Sequence, residues 1–232
     1  MTKPQFINLF PLTLYKARIE LSENQKKEMI SEILEIKNSS GSENKRTGGA
    51  WTGFTHEKQD LLDNSKFNFF FDNVSNHVKN YLLNFKINLD EVDCYFLRSW
   101  PTVSDGTENI RPHSHAQSHL TFAFYLNKSP EDSNIQFTDS LRHNEFIPAS
   151  FLTKSVGKKS IFEERNINNV GQVDINCLEG DIIIFPSKTI HSTQANKNNK
   201  KRISISADIV FTAKNKENLE FLTPPYEDWK KF

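Results

Sequence analysis

The sequence predicts an α+β fold in which helices precede a jelly-roll core, also called a double-stranded β-helix. Apolar residues recur twice at helical spacing within residues 1–90, and short apolar runs separated by turn residues follow over residues 91–212. Helices followed by many short strands are typical of a layered sheet structure that carries helices at one side. We therefore expect a single domain over residues 1–232, with helical support over about 1–90, the jelly-roll core over about 91–212 and a C-terminal tail over 213–232.

Two helices are predicted in the N-terminal part. Ser22 and Gln25 have the spacing of a capping box, and apolar residues continue at helical spacing from there to about Ile36. Ser65 is expected to cap the second helix. The apolar stripe of that helix comprises Phe67, Phe70, Phe71, Val74, Val78, Tyr81, Leu82 and Phe85. Such a stripe is typical of a face buried in the core rather than of a cofactor site.

The strands are predicted from alternating or continuous apolar runs that end at turn residues. Besides a long central run, they are residues 6–19, 92–100, 135–138, 173–177, 182–185 and 202–211. Residues 38–49 are polar and rich in Gly and Ser, which predicts a flexible loop.

The composition argues against several classes of partner. Lys and Arg number 29, as do Asp and Glu, so the chain lacks the net positive charge typical of nucleic-acid binding. Cys94 and Cys177 form no spaced metal motif, which favours a reduced, cytoplasmic protein. Residues 6–15 are interrupted by Asn8 and Pro11 and do not read as a signal peptide, and no run approaches the ~18 apolar residues of a membrane span. We expect a soluble cytoplasmic protein without a membrane or nucleic-acid partner.

A first candidate metal-binding segment covers residues 112–127. His113 and His115 precede its apolar run, and in extended chain both side chains leave on the same face while Ser114 points away. Two imidazoles at the end of a strand can chelate a metal ion. With 7 histidines in the chain such a pair can arise by chance, so the pair alone is weak support for a metal site.

A second segment, residues 179–206, strengthens the prediction. After the turn at Gly180 and a buried strand, His191 falls at the start of the next strand. Arg202 and Ser204 then lie on one face of a further strand. The planar guanidinium of arginine binds a carboxylate through two parallel hydrogen bonds. The chain thus offers three imidazoles and a carboxylate-binding arginine on strands separated by a long insert.

These motifs resemble those of the Fe(II)- and 2-oxoglutarate-dependent oxygenases. The resemblance is strongest to a branch often found in bacteriophage and marine bacterial genomes, with H-x-H, S-x-L-S-G-x-Y-Y-L, G-x-hydrophobic-hydrophobic-F-P-S…H and R-I-S-I-S. The corresponding pieces are His113-Ser114-His115, residues 118–126, residues 180–187, His191 and residues 202–206, with residues 8–11 and Trp100 also matching. One departure is that His115 stands where the wider superfamily has a carboxylate ligand.

The resemblance implies a metal centre and a cosubstrate site. The implied Fe(II) ligands are His113, His115 and His191. The implied contacts of 2-oxoglutarate are Arg202 on its C5 carboxylate, Ser204, and Tyr125 by its place in the motif. With dioxygen, such an enzyme would hydroxylate a substrate that the sequence does not identify and release succinate and CO₂, with no catalytic residue beyond the metal centre. A phage-encoded member would act in the host cytoplasm.

The role of His115 leaves two interpretations open. Direct ligation is favoured, because the H-x-H spacing brings both rings out of one face at the same depth. In the other interpretation, His115 turns aside and water or a distant carboxylate such as Asp139 takes the position.

Two other functions compete with an oxygenase. The pattern of Gly180, Pro186, His191 and Asn196 is similar to the second motif of the cupins, which are metal-binding jelly rolls. However, the glutamate expected after H-x-H is absent, the gap before His191 is long, and a cupin does not explain Arg202. The third possibility is a non-catalytic jelly-roll binding or structural protein whose histidines are incidental, which anaerobic Fe(II) titration would distinguish.

The long insert at residues 140–171 mixes charged residues, two glycines and isolated apolar residues. Loops of this length in a compact domain are often functional. A lid over the metal face and a passive surface excursion are both compatible with this composition.

Overall fold

The computed structural model describes residues 3–40, 49–152, 159–196, 198, 200–215 and 222–232. The α-helices of this part are α1 (Glu23–Ser39) and α2 (Asn68–Asn84). Its strands are β1 (Tyr15–Arg18), β2 (Trp51–Thr52), β3 (Val92–Asp105), β4 (Ile110–His113), β5 (Leu120–Asn127), β6 (Ile135–Thr138), β7 (Gln172–Ile175), β8 (Asp181–Pro186), β9 (Ile190–Thr193) and β10 (Lys201–Ala213). No helix of the described residues is long and apolar enough to cross a membrane.

The strands form two antiparallel sheets. The larger has the order β1-β8-β5-β10-β3-β2, and the smaller has the order β4-β9-β6-β7. Most neighbouring strands in these sheets are not consecutive in the chain, as in a jelly roll. The predicted α+β fold with a jelly-roll core and N-terminal helices is therefore confirmed.

Strand β10 shows how the fold separates core from cavity. Its odd-numbered side chains pack in the core shared with the helices: Ile203, Ile205, Ala207 and Ile209. Its even-numbered side chains line a cavity on the opposite face of the sheet: Arg202, Ser204, Ser206 and Asp208. This division follows from the two-residue period of a strand.

Both predicted helices are present, with one correction. The capping box of α1 is confirmed, since the Ser22 hydroxyl accepts from the Gln25 backbone N–H and the Gln25 side chain accepts from the Ser22 N–H. The predicted cap Ser65 instead lies in a short 3₁₀ turn before α2. Asn64 caps that turn by accepting from the Lys66 backbone N–H. An asparagine side chain caps as well as serine does, so spacing alone did not select between them.

The helices cover the outer face of the larger sheet. In α2, the ring of Phe70 lies 4.7 Å from that of Phe124 and 6.1 Å from that of Phe122, both on β5. All three rings are buried. Burying one such side chain contributes about 1.5–3 kcal/mol, so the aromatic stripe of α2 anchors the sheet that carries the site.

The N-terminal strand is much shorter than predicted. Of residues 6–19, only Tyr15–Arg18 forms a strand, and it pairs with β8. Phe6 and Phe10 are almost fully exposed. An alternating segment becomes a strand only where a partner strand offers hydrogen bonds, and β8 provides that partner for four residues. The predicted loop at 38–49 is mostly outside the described residues, and its start belongs to α1.

Candidate metal centre and cosubstrate pocket

The three predicted histidine ligands meet at one end of the sheet sandwich. His113 ends β4 and lies directly opposite His191 of β9 in the strand register, while His115 follows just beyond β4. The ring centroids of His113 and His191 are 4.3 Å apart, and each lies 5.3 Å from that of His115. One possible ligand atom from each ring can be chosen so that all three lie within 4.8 Å of one another.

Each of these rings has its Nδ1 atom against an oxygen. The contacts join His113 to the Arg111 carbonyl at 2.8 Å, His191 to the Thr189 carbonyl at 2.9 Å and His115 to the Asp208 carboxylate at 2.7 Å. These oxygens only accept, so Nδ1 carries the proton when the ring is neutral. The Nε2 lone pair of all three rings then remains available to a metal, and the site fits a divalent ion.

The electrostatics favour a neutral ring in His113 and His191. Burial, with a smaller contribution from His113, lowers the pKa of His191 to about 3. Burial also lowers the pKa of His113 below its ordinary value. Metal binding requires the unprotonated imidazole, so these two ligands are ready for a metal ion at neutral pH.

Asp208 is a site residue that sequence reasoning missed. Its carboxylate is 0% exposed, and it accepts from His115, from Arg98 Nε at 2.6 Å and from the Ser118 hydroxyl at 3.0 Å. Burial alone would raise the pKa of this carboxyl, but the hydrogen bonds from His115 and Arg98 hold it below its usual range. The sequence did offer one signal: Asp208 and Arg202 are both even-numbered residues of β10, and alternate residues of a strand lie on the same face.

A cavity of about 690 Å³ opens between the sheets. Its lining includes all six predicted site residues: His113, His115, His191, Arg202, Ser204 and Tyr125. Asp139, the alternative ligand, does not line it, and one of its carboxylate oxygens accepts from the Leu141 backbone N–H. Among the described residues of the insert 140–171, none lines the cavity.

Arg202 presents a buried positive charge to this cavity. Its side chain is held by four oxygens: Nη1 donates to the Ser133 carbonyl and Asn196 Oδ1 at 3.1 Å each, and Nη2 donates to Ser104 Oγ at 3.2 Å and Thr193 Oγ1 at 2.9 Å. The residue is 3% exposed and forms no ion pair with a carboxylate in the described part of the chain. A buried charge without a counter-ion is costly, so an anion in the cavity would stabilise it.

Tyr125 and Ser204 stand beside this arginine. They face each other across the β5–β10 pairing, and both line the cavity. Burial raises the pKa of Tyr125, so its hydroxyl keeps its proton and can donate a hydrogen bond. Neither hydroxyl has a hydrogen-bond partner among the described residues, which leaves both free for a ligand.

Another part of the cavity lining is aromatic and was not predicted from the sequence. The ring of Phe54 lies 5.4 Å from that of Trp100, and the guanidinium of Arg98 lies 4.7 Å from the Phe54 ring centroid. Trp100 also lies 5.6 Å from the ring of His115. His56 completes this part of the lining, and no sequence signal marked it.

A family model described as a putative 2OG-Fe(II) oxygenase matches residues 98–208, the part of the chain that contains all six predicted site residues. No curated protein sequence matches the chain.

Three solved structures illustrate the fold that this chain shares. The α-ketoglutarate-dependent epimerase SnoN from nogalamycin biosynthesis has a TM-score of 0.55 at 12% identity, over 89% of this chain and 83% of its own. A Pseudomonas putida prolyl-4-hydroxylase has a TM-score of 0.51 at 11% identity, over 85% of this chain and 92% of its own. HygX from Streptomyces hygroscopicus, solved with nickel and 2-oxoglutarate bound, has a TM-score of 0.52 at 11% identity, over 86% of this chain and 83% of its own. At these identities the likeness shows the fold.

The family match and the structure agree on the same residues. The H-x-H…H and R-x-S motifs lie inside the matched region, and their side chains converge on one cavity. The description of the matched family names 2-oxoglutarate and Fe(II). The predicted resemblance of this chain to the Fe(II)- and 2-oxoglutarate-dependent oxygenases is therefore confirmed, and the findings support an enzyme of that class.

Proposed function

We propose that the protein is an Fe(II)- and 2-oxoglutarate-dependent dioxygenase that hydroxylates a substrate still to be identified and releases succinate and CO₂. One observation carries this proposal. Three imidazoles with available Nε2 atoms share a cavity with a buried arginine that lacks a carboxylate partner among the described residues. A metal site or a buried arginine alone has other uses, but together they match a metal and a dicarboxylate bound side by side.

The proposed metal ligands are His113, His115 and His191. Imidazole nitrogen suits iron, and three protein ligands leave coordination positions for small molecules. Direct ligation by His115 is supported by its place in the three-histidine group, whereas Asp139 lies outside the cavity lining. Bound iron and 2-oxoglutarate supply the oxidising chemistry, and the protein supplies binding, orientation and exclusion of water.

Arg202, Ser204 and Tyr125 form the proposed cosubstrate site. The four oxygens around Arg202 hold its guanidinium in place and occupy its four Nη–H donors. The distal carboxylate of 2-oxoglutarate would therefore pair with the Nε–H and take over Nη–H donors from some of these oxygens. The hydroxyls of Ser204 and Tyr125 are positioned to donate to the same ligand. The aromatic part of the cavity lining, around Phe54, is then available to the substrate.

The competing functions explain fewer of these features. A cupin-type enzyme that does not use 2-oxoglutarate would leave the buried charge of Arg202 without a role. A non-catalytic jelly roll would not need three histidines with the same Nδ1 orientation around one point.

An anaerobic titration followed by turnover tests the proposal. The protein should bind one Fe(II) per chain, and in air it should convert 2-oxoglutarate to succinate, measured by NMR. His191→Ala, which removes a ligand, should abolish both. Metal binding without use of 2-oxoglutarate would favour the cupin alternative, and absence of metal binding would favour the non-catalytic one.

Hydroxylation is tested separately by mass spectrometry of converted substrate candidates. A hydroxylated product gains one oxygen atom. Epimerisation, the activity for which SnoN is named, would leave the mass unchanged and would refute the hydroxylase part of the proposal.

A further inference from the structure

We propose that Asp208 is a positioning residue of the metal centre, which fixes the ring of His115 and brings to the site the negative charge that His115 itself lacks. The inference rests on the proposed function, because it concerns the same metal site. Asp208 Oδ1 lies 2.7 Å from His115 Nδ1, and the carboxylate is completely buried.

His115 depends on this contact more than the other two ligands depend on theirs. His113 and His191 lie on paired strands, and each ring donates to a carbonyl only two residues earlier in its own segment. His115 lies beyond the end of β4, where its backbone N–H donates to the Ser187 carbonyl at 2.9 Å. Its ring is therefore oriented by a side chain from another strand, Asp208 of β10.

The carboxylate is itself held rigidly. Arg98 lies opposite Asp208 in the β10–β3 register and donates Nε to the second carboxylate oxygen, Oδ2. The Ser118 hydroxyl donates to Oδ1, the oxygen that also contacts His115. With three donors around it, Asp208 cannot turn away from His115 without losing charge-assisted hydrogen bonds.

The nature of the acceptor distinguishes His115 chemically. A carboxylate that accepts from Nδ1–H raises the basicity of an imidazole ligand, whereas a neutral carbonyl has a weaker effect. The sequence has histidine where a carboxylate ligand is expected, yet a buried carboxylate stands one residue further from the metal position. The negative charge is thus carried by Asp208, which contacts the ligand His115, instead of by a ligand that binds the metal directly.

The test compares Asp208→Asn with Asp181→Asn. The asparagine keeps the shape but removes the charge. Asp181 is the matched control, because it is also a buried aspartate with basic partners, Lys16 and Arg18, and it does not line the cavity. Anaerobic titrations with Mn(II) should show affinity lowered about 10- to 100-fold in Asp208→Asn and unchanged in Asp181→Asn. Folded Asp208→Asn that binds Mn(II) within threefold of the parent would overturn the inference.

A double-mutant cycle tests whether Asp208 acts through His115. In a His115→Ala background, Asp208→Asn should lower Mn(II) affinity by less than about threefold more, because the contact between His115 and Asp208 is already absent. An undiminished second loss would show that Asp208 acts by another route.

A measurement on the parent chain covers the case in which Asp208→Asn does not fold. In the Zn(II)-loaded protein, ¹H–¹⁵N NMR of the rings should find His115 with its proton on Nδ1 and its Nε2 bound to metal. A proton on Nε2 would refute the inference. A parent that binds no metal at all would refute the proposed function instead, so the two failures are distinguishable.

Discussion

Arg202→Ala should weaken 2-oxoglutarate binding strongly while leaving metal affinity nearly unchanged. The guanidinium lies in the cavity with no carboxylate partner among the described residues, so its removal deletes the proposed counter-ion of the cosubstrate. A hydrogen bond to a charged group contributes about 1.5–3 kcal/mol. At about 1.4 kcal/mol per tenfold, the expected loss of affinity is roughly 10- to 150-fold.

The hydrogen bonds around Arg202 make a folding control necessary for this experiment. Ser104 Oγ and Thr193 Oγ1 lose a donor in the alanine variant, and an unsatisfied buried polar group costs about 1–3 kcal/mol. Folding must therefore be checked by circular dichroism before binding is compared. Arg202→Lys should recover only part of the affinity, since an ammonium cannot make the paired contact of a guanidinium.

Calorimetry on the Mn(II)-loaded, oxygen-free protein measures both affinities. Arg18→Ala, at an exposed arginine on β1 that does not line the cavity, is the matched control and should bind 2-oxoglutarate like the parent. A folded Arg202→Ala protein that binds 2-oxoglutarate within threefold of the parent would show that the arginine has been misassigned.

Three further predictions concern the ligands and the thiols. In anaerobic titrations, His115→Ala should lower Fe(II) affinity nearly as much as His113→Ala, and His115→Asp should retain iron; parent-like binding by His115→Ala would exclude direct ligation. Burial holds the pKa of His191 at about 3 against 6.5 for an ordinary histidine, so the unfolded chain binds more protons between these values. Urea unfolding of the metal-free protein should therefore show stability falling below about pH 6.5, by up to about 1.4 kcal/mol per pH unit, with a flatter profile for His191→Gln. Burial raises the pKa of the Cys177 thiol to about 11, so a thiol reagent at pH 8 should label exposed Cys94 first and Cys177 only on unfolding; rapid labelling of both in the folded protein would contradict this burial.

Much of the site could be predicted because its signals are local. The alternation of Arg202 and Ser204 in a strand places both on one face whatever the partner strands are, and both line the cavity. The same rule predicts that His113 and His115 leave together. The cytoplasmic location and the lack of a nucleic-acid partner stay predictions, because composition alone supports them.

The features that sequence reasoning missed depend on contacts between distant segments. His115 and Asp208 meet only because β10 pairs with both β3 and β5, which brings the cavity-lining face of β10 close to the residues that follow β4. The alternation of β10 places Asp208 on the same face as Arg202, but nothing in the local pattern shows that its carboxylate meets His115. The predicted length of the N-terminal strand was wrong for a related reason, since an alternating pattern does not reveal where its partner strand ends.

The residues that line the cavity also differ in how far their roles can be assigned. The histidines and Arg202 lie within residues 98–208, the part matched by the oxygenase family. Phe54 and His56 also line the cavity but lie outside that match. The family match therefore supports roles for the metal and cosubstrate residues and none for this aromatic segment, which is a part of the lining available to a substrate. We therefore infer that the segment around Phe54 contributes to substrate recognition, and Phe54→Ala should change substrate preference without changing the affinity for 2-oxoglutarate.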